Sequence, residues 1–147
     1  MNIGEEAPEF ELKDQKGNNV SLRSFSGTRV LLAFFPFAFS PVCTEEMECF
    51  RLDMNEFKDM GIQILGVSVD SHWTLKAFSE KLGITLPLLS DFNKEVAKKY
   101  GVLRPDGFSE RAYFLIDENR VIKYKHVMDS LGKKLDSAEL LTAVKTL

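Results

Sequence analysis

Apolar positions along the chain follow two rhythms. Val30 to Phe35 is an unbroken apolar run, as in a strand buried on both faces, and Ile62 to Val69 (IQILGVSV) reads the same way. Between them Cys43, Met47, Phe50, Met54 and Phe57 recur at steps of four, three, four and three, which is one face of a helix. Ser40 suits the N-cap of that helix and Pro41 its first position, where a missing N–H costs nothing; Gly61 marks its end. Upstream, Phe10 to Leu12 and Asn19 to Leu22 flank the turn cluster Asp14-Gln15-Lys16-Gly17 and predict a hairpin. Downstream, Asp70-Ser71 can cap a helix over His72 to Leu82 that stops at Gly83. Leu86 to Leu89 reads as a connecting segment, and Ser90 or Asp91 caps a helix from about Asn93 to Tyr100, ended by Gly101. After a turn at Arg104 to Gly107, Arg111 to Ile116 and Val121 to His126 predict a second hairpin across Asp117 to Arg120, and Ser137 to Thr146 is the closing helix.

Strand, helix, strand, helix, an antiparallel pair and a last helix make a mixed α/β sheet sandwiched by helices. That order is the thioredoxin-like layout with an N-terminal β-hairpin added, and it predicts one domain over residues 1–147. In such sheets the functional crevice lies beyond the carboxyl ends of the parallel strands, and Val30 to Phe35 delivers Pro36 to Cys43 to that edge.

Composition changes this picture little. Apolar content of 44% and charged content of 28% are ordinary for a globular chain, and a net charge of −3 gives no general reason to expect nucleic acid or an anionic membrane as partner. The start, MNIGEEAPEF, lacks a basic stretch followed by an apolar core, and the run from Val30 to Phe39 is interrupted by proline and too short to span a bilayer. A cytoplasmic, reducing setting is the expectation, and two cysteines do not make a disulfide scaffold. His72 and His126, the two histidines, share no metal-site spacing with the cysteines, so neither metal nor other cofactor is expected.

Candidate chemistry starts at Cys43, in the first turn of its helix. Unpaired N–H groups and the positive end of the helix dipole favour an anion there, and so favour thiolate over thiol. A lone cysteine on an apolar face is also a common small core residue, and the position by itself leaves both readings open. The motifs around it carry a resemblance. Pro36-Phe37-Ala38-Phe39-Ser40-Pro41-Val42-Cys43 matches the peroxiredoxin pattern P-x-x-x-[ST]-x-x-C. Gly4 to Gly27 is similar to that family's amino-terminal hairpin, Thr85 to Phe92 (TLPLLSDF) adds to the match, and Ser109 to Ile122 (SERAYFLIDENRVI) looks like the strand pair carrying its active-site arginine. Within the family the chain most resembles the short, AhpE-like one-cysteine group.

That resemblance implies a thiol-dependent peroxidase acting on hydrogen peroxide and organic hydroperoxides, with Cys43 as the attacking thiolate. Ser40 would donate its hydroxyl to the thiolate or to a peroxide oxygen, although a plain N-cap is an equal reading of its spacing. The N–H groups of Val42 and Cys43 can face an incoming oxygen. Pro36 would wall the pocket, though by itself it reads as a strand terminator. Arg111, otherwise a solvated strand-end charge, would lower the thiol pKa and stabilise the departing oxygen. Glu46 would pair with and orient the arginine, where its local reading is a carboxylate favoured by the helix N-terminus. Phe37 and Phe39 would line an apolar mouth or form a dimer contact.

Cys49 departs from the common patterns. Six residues after Cys43, it lies about 9 Å further along the helix and ~120° around it, while a disulfide needs Cα atoms within about 7 Å. A one-cysteine cycle is therefore preferred, in which an external thiol (thioredoxin, glutaredoxin or a low-molecular-weight thiol) regenerates the enzyme. The alternatives are a resolving role for Cys49 after helix unwinding, and a non-catalytic peroxide sensor or holdase. A disulfide reductase would rely on Cys-x-x-Cys, which is absent, and acyl transfer would need a histidine base beside Cys43. A homodimer is the expected assembly.

Overall fold

The computed structural model of the chain describes residues 2–135 and 137–145, without the side chain of Ser137. Seven strands form one sheet: β1 (Glu11–Lys13), β2 (Asn19–Ser21), β3 (Arg29–Phe34), β4 (Ile62–Ser68), β5 (Leu88–Ser90), β6 (Ala112–Ile116) and β7 (Ile122–Val127). Their order across the sheet is β2-β1-β5-β4-β3-β6-β7. The middle three, β5, β4 and β3, run parallel; β6 and β7 continue antiparallel on one side, and the β1–β2 hairpin does so on the other. This is the mixed, helix-flanked thioredoxin-like sheet with its N-terminal hairpin.

Two apolar cores follow from the pleat, because successive residues of a strand point to opposite faces. Leu31, Ala33 and Phe35 join the core under helices α1 (Pro41–Asp59), α2 (His72–Leu82) and α4 (Ser137–Lys145), with Tyr113 and Leu115 beside them. Val30, Leu32 and Phe34 face the other core, which is closed by α3 (Glu95–Lys99) and the N-terminal segment through Ala7 and Phe10. A run with both faces covered has no polar position to give, hence the unbroken pattern of β3. Gly66 in β4 is required by close approach: a Cβ there would lie 2.9 Å from Leu88 Cδ2 and 3.3 Å from the Phe35 ring.

Helix boundaries follow their local chemistry. Ser71 caps α2 by accepting from Thr74 N at 3.2 Å, and Gly83 ends it in the left-handed conformation at φ +65°. No described helix is long and apolar enough to cross a membrane. Thr146, expected in the last helix, lies outside the described residues.

Two expected elements differ. The segment around Leu86 to Leu89 is no mere connection, since Leu88–Ser90 is β5 and joins the parallel strands to the hairpin. Its strand character comes from distant partners: Gly66 and Val67 of β4 pair with Leu88 and Leu89, and the Gln15 amide donates to Leu86 O at 2.9 Å and accepts from Leu88 N at 2.8 Å. The helix expected over Asn93 to Tyr100 is trimmed to Glu95–Lys99, because Lys94 takes a left-handed conformation. Asp91 still caps it, its carboxylate accepting from Val96 N and Ala97 N.

Candidate active site

The loop from Pro36 to Ser40 joins β3 to α1 at the carboxyl edge of the parallel strands. Buried Pro36 opens it, with Phe35 O accepting from Ser109 Oγ at 3.2 Å. The Ala38 N–H donates to Asp70 Oδ2 at 2.7 Å, and the same oxygen accepts from Ser68 Oγ at 2.8 Å, so the end of β4 holds the loop. Phe39 has a left-handed φ of +68°, a conformation that costs a non-glycine residue energy and persists because its surroundings impose it. Phe37 and Phe39 stay exposed, their rings against Phe108 and Phe78.

Ser40 occupies the N-cap position with extended geometry and its carbonyl accepts from Thr44 N at 2.9 Å. Its hydroxyl, however, donates to Phe37 O at 2.9 Å and caps no helix N–H. Ser40 thus caps α1 through its position and backbone, and its side chain closes its own loop.

One turn into α1, Cys43 has no exposed surface. Arg111, just before β6, donates from Nη2 to Cys43 Sγ at 3.0 Å. Its Nη1 donates to Glu46 Oε1 at 3.0 Å, and Nη2 also reaches Leu131 O at 3.2 Å. Glu46 lies three residues after Cys43 on the same helix face, so one guanidinium spans both. Arg111 and Glu46 are each only 1% exposed, which makes this a buried ion pair and no solvated strand-end charge. The second Glu46 oxygen accepts a hydrogen bond from the Tyr113 hydroxyl, which in turn accepts from Leu135 N at 3.3 Å. The segment between β7 and α4 is thereby tied to the site at Leu131 and Leu135.

Burial pushes the Glu46 carboxyl above the ordinary carboxylate range, with Arg111 and the Tyr113 hydroxyl pulling it back. For Arg111 burial works against the charge but is outweighed by Glu46 and Cys43, and its pKa is raised. Burial and the Glu46 charge push the Tyr113 phenol up, so it remains protonated. Arg111 Nε is buried without a hydrogen-bond partner among the described residues, leaving one unused donor beside the sulfur.

Cys43 is covered, while Phe37 and Phe39 at the expected mouth are exposed. Cys49 is half-buried further along an unbroken α1, with Lys134 Nζ 3.7 Å from its Sγ, and it is not joined to Cys43 by a disulfide. Tyr113 and Asp70 were missed as site neighbours. A tyrosine in an apolar strand reads as core, and an aspartate before Ser71 reads as a cap. Among the described residues no group of three or more His, Cys, Asp and Glu side chains is arranged to hold a metal ion.

Comparison with known proteins agrees with this geometry. A family model described as AhpC/TSA matches residues 3–125. Over 136 residues the chain is 38% identical to Peroxiredoxin Bcp of Escherichia coli K12, covering 88% of this chain and 86% of that protein. Among solved structures, Enterococcus faecalis AhpC superposes with a TM-score of 0.92 at 28% identity, over 99% of this chain and 92% of that one. The reduced 2-Cys peroxiredoxin of Plasmodium vivax does so with a TM-score of 0.87 at 31% identity, over 99% and 98%.

Proposed function

The chain belongs to the AhpC/TSA family of peroxiredoxins, which are thiol-dependent peroxidases, and from that premise we propose that it reduces hydrogen peroxide and organic hydroperoxides at Cys43. The observation that carries the assignment of roles is the Arg111 guanidinium 3.0 Å from Cys43 Sγ. A cation at that distance, with the N-terminus of α1 behind it, is placed to pair with the sulfur as it attacks and with the oxygen that departs. The thiolate attacks one peroxide oxygen along the O–O axis, an S–O bond forms as the O–O bond breaks, and the departing oxygen takes a proton and leaves as water or alcohol. Arg111 is the catalytic cation, its unused Nε–H a donor for the oxygen on which charge develops. Glu46 positions it. Pro36, with no N–H of its own, walls the site beside Ala38 without competing for hydrogen bonds. Ser40 enters the reaction only after its hydroxyl leaves Phe37 O.

Regeneration is proposed to follow the one-cysteine route of the AhpE-like group. An external thiol condenses with the sulfenic acid, releasing water and forming a mixed disulfide, and a second thiol frees Cys43. Support comes from α1, unbroken from Pro41 to Asp59, which holds Cys49 about 9 Å along the axis and beyond disulfide reach. A second reading keeps Cys49 as resolving thiol: the Lys134 amine 3.7 Å from its sulfur would favour a thiolate there once the helix unwinds. The reductant, thioredoxin, glutaredoxin or a small thiol, places the cycle in a reducing cytoplasm. Exposed Phe37 and Phe39 suit apolar hydroperoxides and offer a surface for a homodimer.

Peroxide consumption with excess small thiol tests this reading. An enzyme turns over many equivalents and Cys43→Ser abolishes the activity with the fold intact. A sensor or holdase consumes one equivalent and stops, and retained turnover in Cys43→Ser would show that another group is the nucleophile.

A further inference from the structure

Tyr113 is the largest polar side chain touching the ion pair that has no part in the chemistry above. It lies two residues after Arg111, on the same face of β6, and is fully buried. Its hydroxyl stands between two elements. Leu135 N–H, from the segment leading into α4, occupies an oxygen lone pair, so the hydroxyl proton is directed at Glu46 Oε2. The phenol stays protonated in this setting, which makes it a permanent donor.

The consequence is geometric. A carboxylate with both oxygens free takes an arginine in the two-point, fork-to-fork arrangement. Here Tyr113 holds Oε2 turned toward its hydroxyl, and Arg111 meets Glu46 at a single point, Nη1 to Oε1. Nη2 is left to the Cys43 sulfur and Leu131 O. Without the phenol, the freed oxygen competes for Nη2 and turns the guanidinium away from the sulfur.

We propose that Tyr113 is a positioning residue that reserves one Arg111 nitrogen for Cys43 by engaging the second oxygen of Glu46. The inference rests on the roles of Cys43 and Arg111 proposed above. It adds a residue that acts only through Glu46.

The test is Tyr113→Phe in a Cys49→Ser parent, so that Cys43 is the sole thiol. The pH dependence of iodoacetamide alkylation gives the acidity midpoint of Cys43, and stopped-flow mixing gives its rate constant with hydrogen peroxide. Loss of one hydrogen bond to a charged group predicts an upward shift of that midpoint and a lower peroxide rate constant at neutral pH. In a Glu46→Gln background the same substitution should change neither quantity further, because its route of action is gone. A purely structural role would lower the urea midpoint and leave the alkylation profile unchanged, which overturns the proposal; so does an equal shift in the Glu46→Gln background. If Tyr113→Phe does not fold, 3-fluorotyrosine at position 113 replaces it. That more acidic phenol donates more strongly and should lower the thiol midpoint, and no change refutes the idea. The parent separates the two failures. A parent without Cys43-dependent peroxide reaction sinks the peroxidase reading, whereas a competent parent beside an unchanged Tyr113→Phe sinks only the role of Tyr113.

Discussion

Replacing Arg111 by methionine, again in the Cys49→Ser parent, keeps most of the buried volume and removes the charge beside the sulfur. Unit charges about 4 Å apart attract by roughly 4 kcal/mol at an effective dielectric of ~20, equivalent to about 3 pKa units. Glu46, 3.0 Å from the same guanidinium, offsets part of that field, so the effect on the sulfur should be smaller than this bound. The peroxide rate constant at neutral pH should fall, because the cation that faces the sulfur and the departing oxygen is gone.

Stability should change with a distinct pH signature. Losing the arginine leaves the Glu46 charge buried with Tyr113 as its hydrogen-bond donor, a change that costs about 3–5 kcal/mol for a broken buried pair at neutral pH. Burial already holds this carboxyl above its ordinary 4.5, and removing the cation raises it further. A carboxyl with a folded-state pKa above its unfolded value takes up a proton on folding. The deficit against the parent should thus be smallest below pH 4.5 and grow as pH rises through the folded-state pKa. Urea unfolding across that range reads the deficit, and alkylation reads the midpoint. Adding Glu46→Gln should recover stability without recovering thiol acidity. An unchanged midpoint with a normal peroxide rate would refute the assignment of Arg111.

Three further outcomes follow from named contacts. Asp70→Ala leaves the Ala38 N–H and the Ser68 hydroxyl without their shared acceptor; it should cost about 1–3 kcal/mol in urea unfolding and slow the peroxide reaction by loosening the Cys43 loop. Gly66→Ala forces a methyl against Leu88 and Phe35, and should cost about 1–3 kcal/mol in urea unfolding. Cys49→Ser should retain full turnover with external thiol under the one-cysteine route, and turnover lost in this variant would favour the resolving role.

The sequence made the long elements legible because their signals are local. The largely apolar runs mark β3 and β4, the 3.6-residue stripe marks α1, and Ser71 and Gly83 bracket α2. β5 was not legible, since three residues beside Pro87 become a strand only through β4 and the Gln15 amide, both distant in sequence. The short α3 turns on a backbone choice at Lys94 that no side-chain pattern announces. At the site, spacing put Cys43 and Glu46 on one helix face, but nothing local could bring Arg111 to them from 65 residues away. The family motif supplied that expectation. Tyr113 stayed hidden because its apolar neighbours in β6 spell core, and the carboxylate its hydroxyl meets belongs to α1. The direction of the Ser40 hydroxyl depends on the left-handed turn at Phe39, and is likewise invisible to spacing.

The central claim is that Cys43 is the atom that takes oxygen from peroxide. Rapid mixing of the reduced protein with one equivalent of hydrogen peroxide, quenching into dimedone and peptide mass spectrometry tests it most directly. The account predicts a dimedone adduct on Cys43 and an unmodified Cys49 thiol. Peroxide consumed while Cys43 remains an unmodified thiol would contradict it.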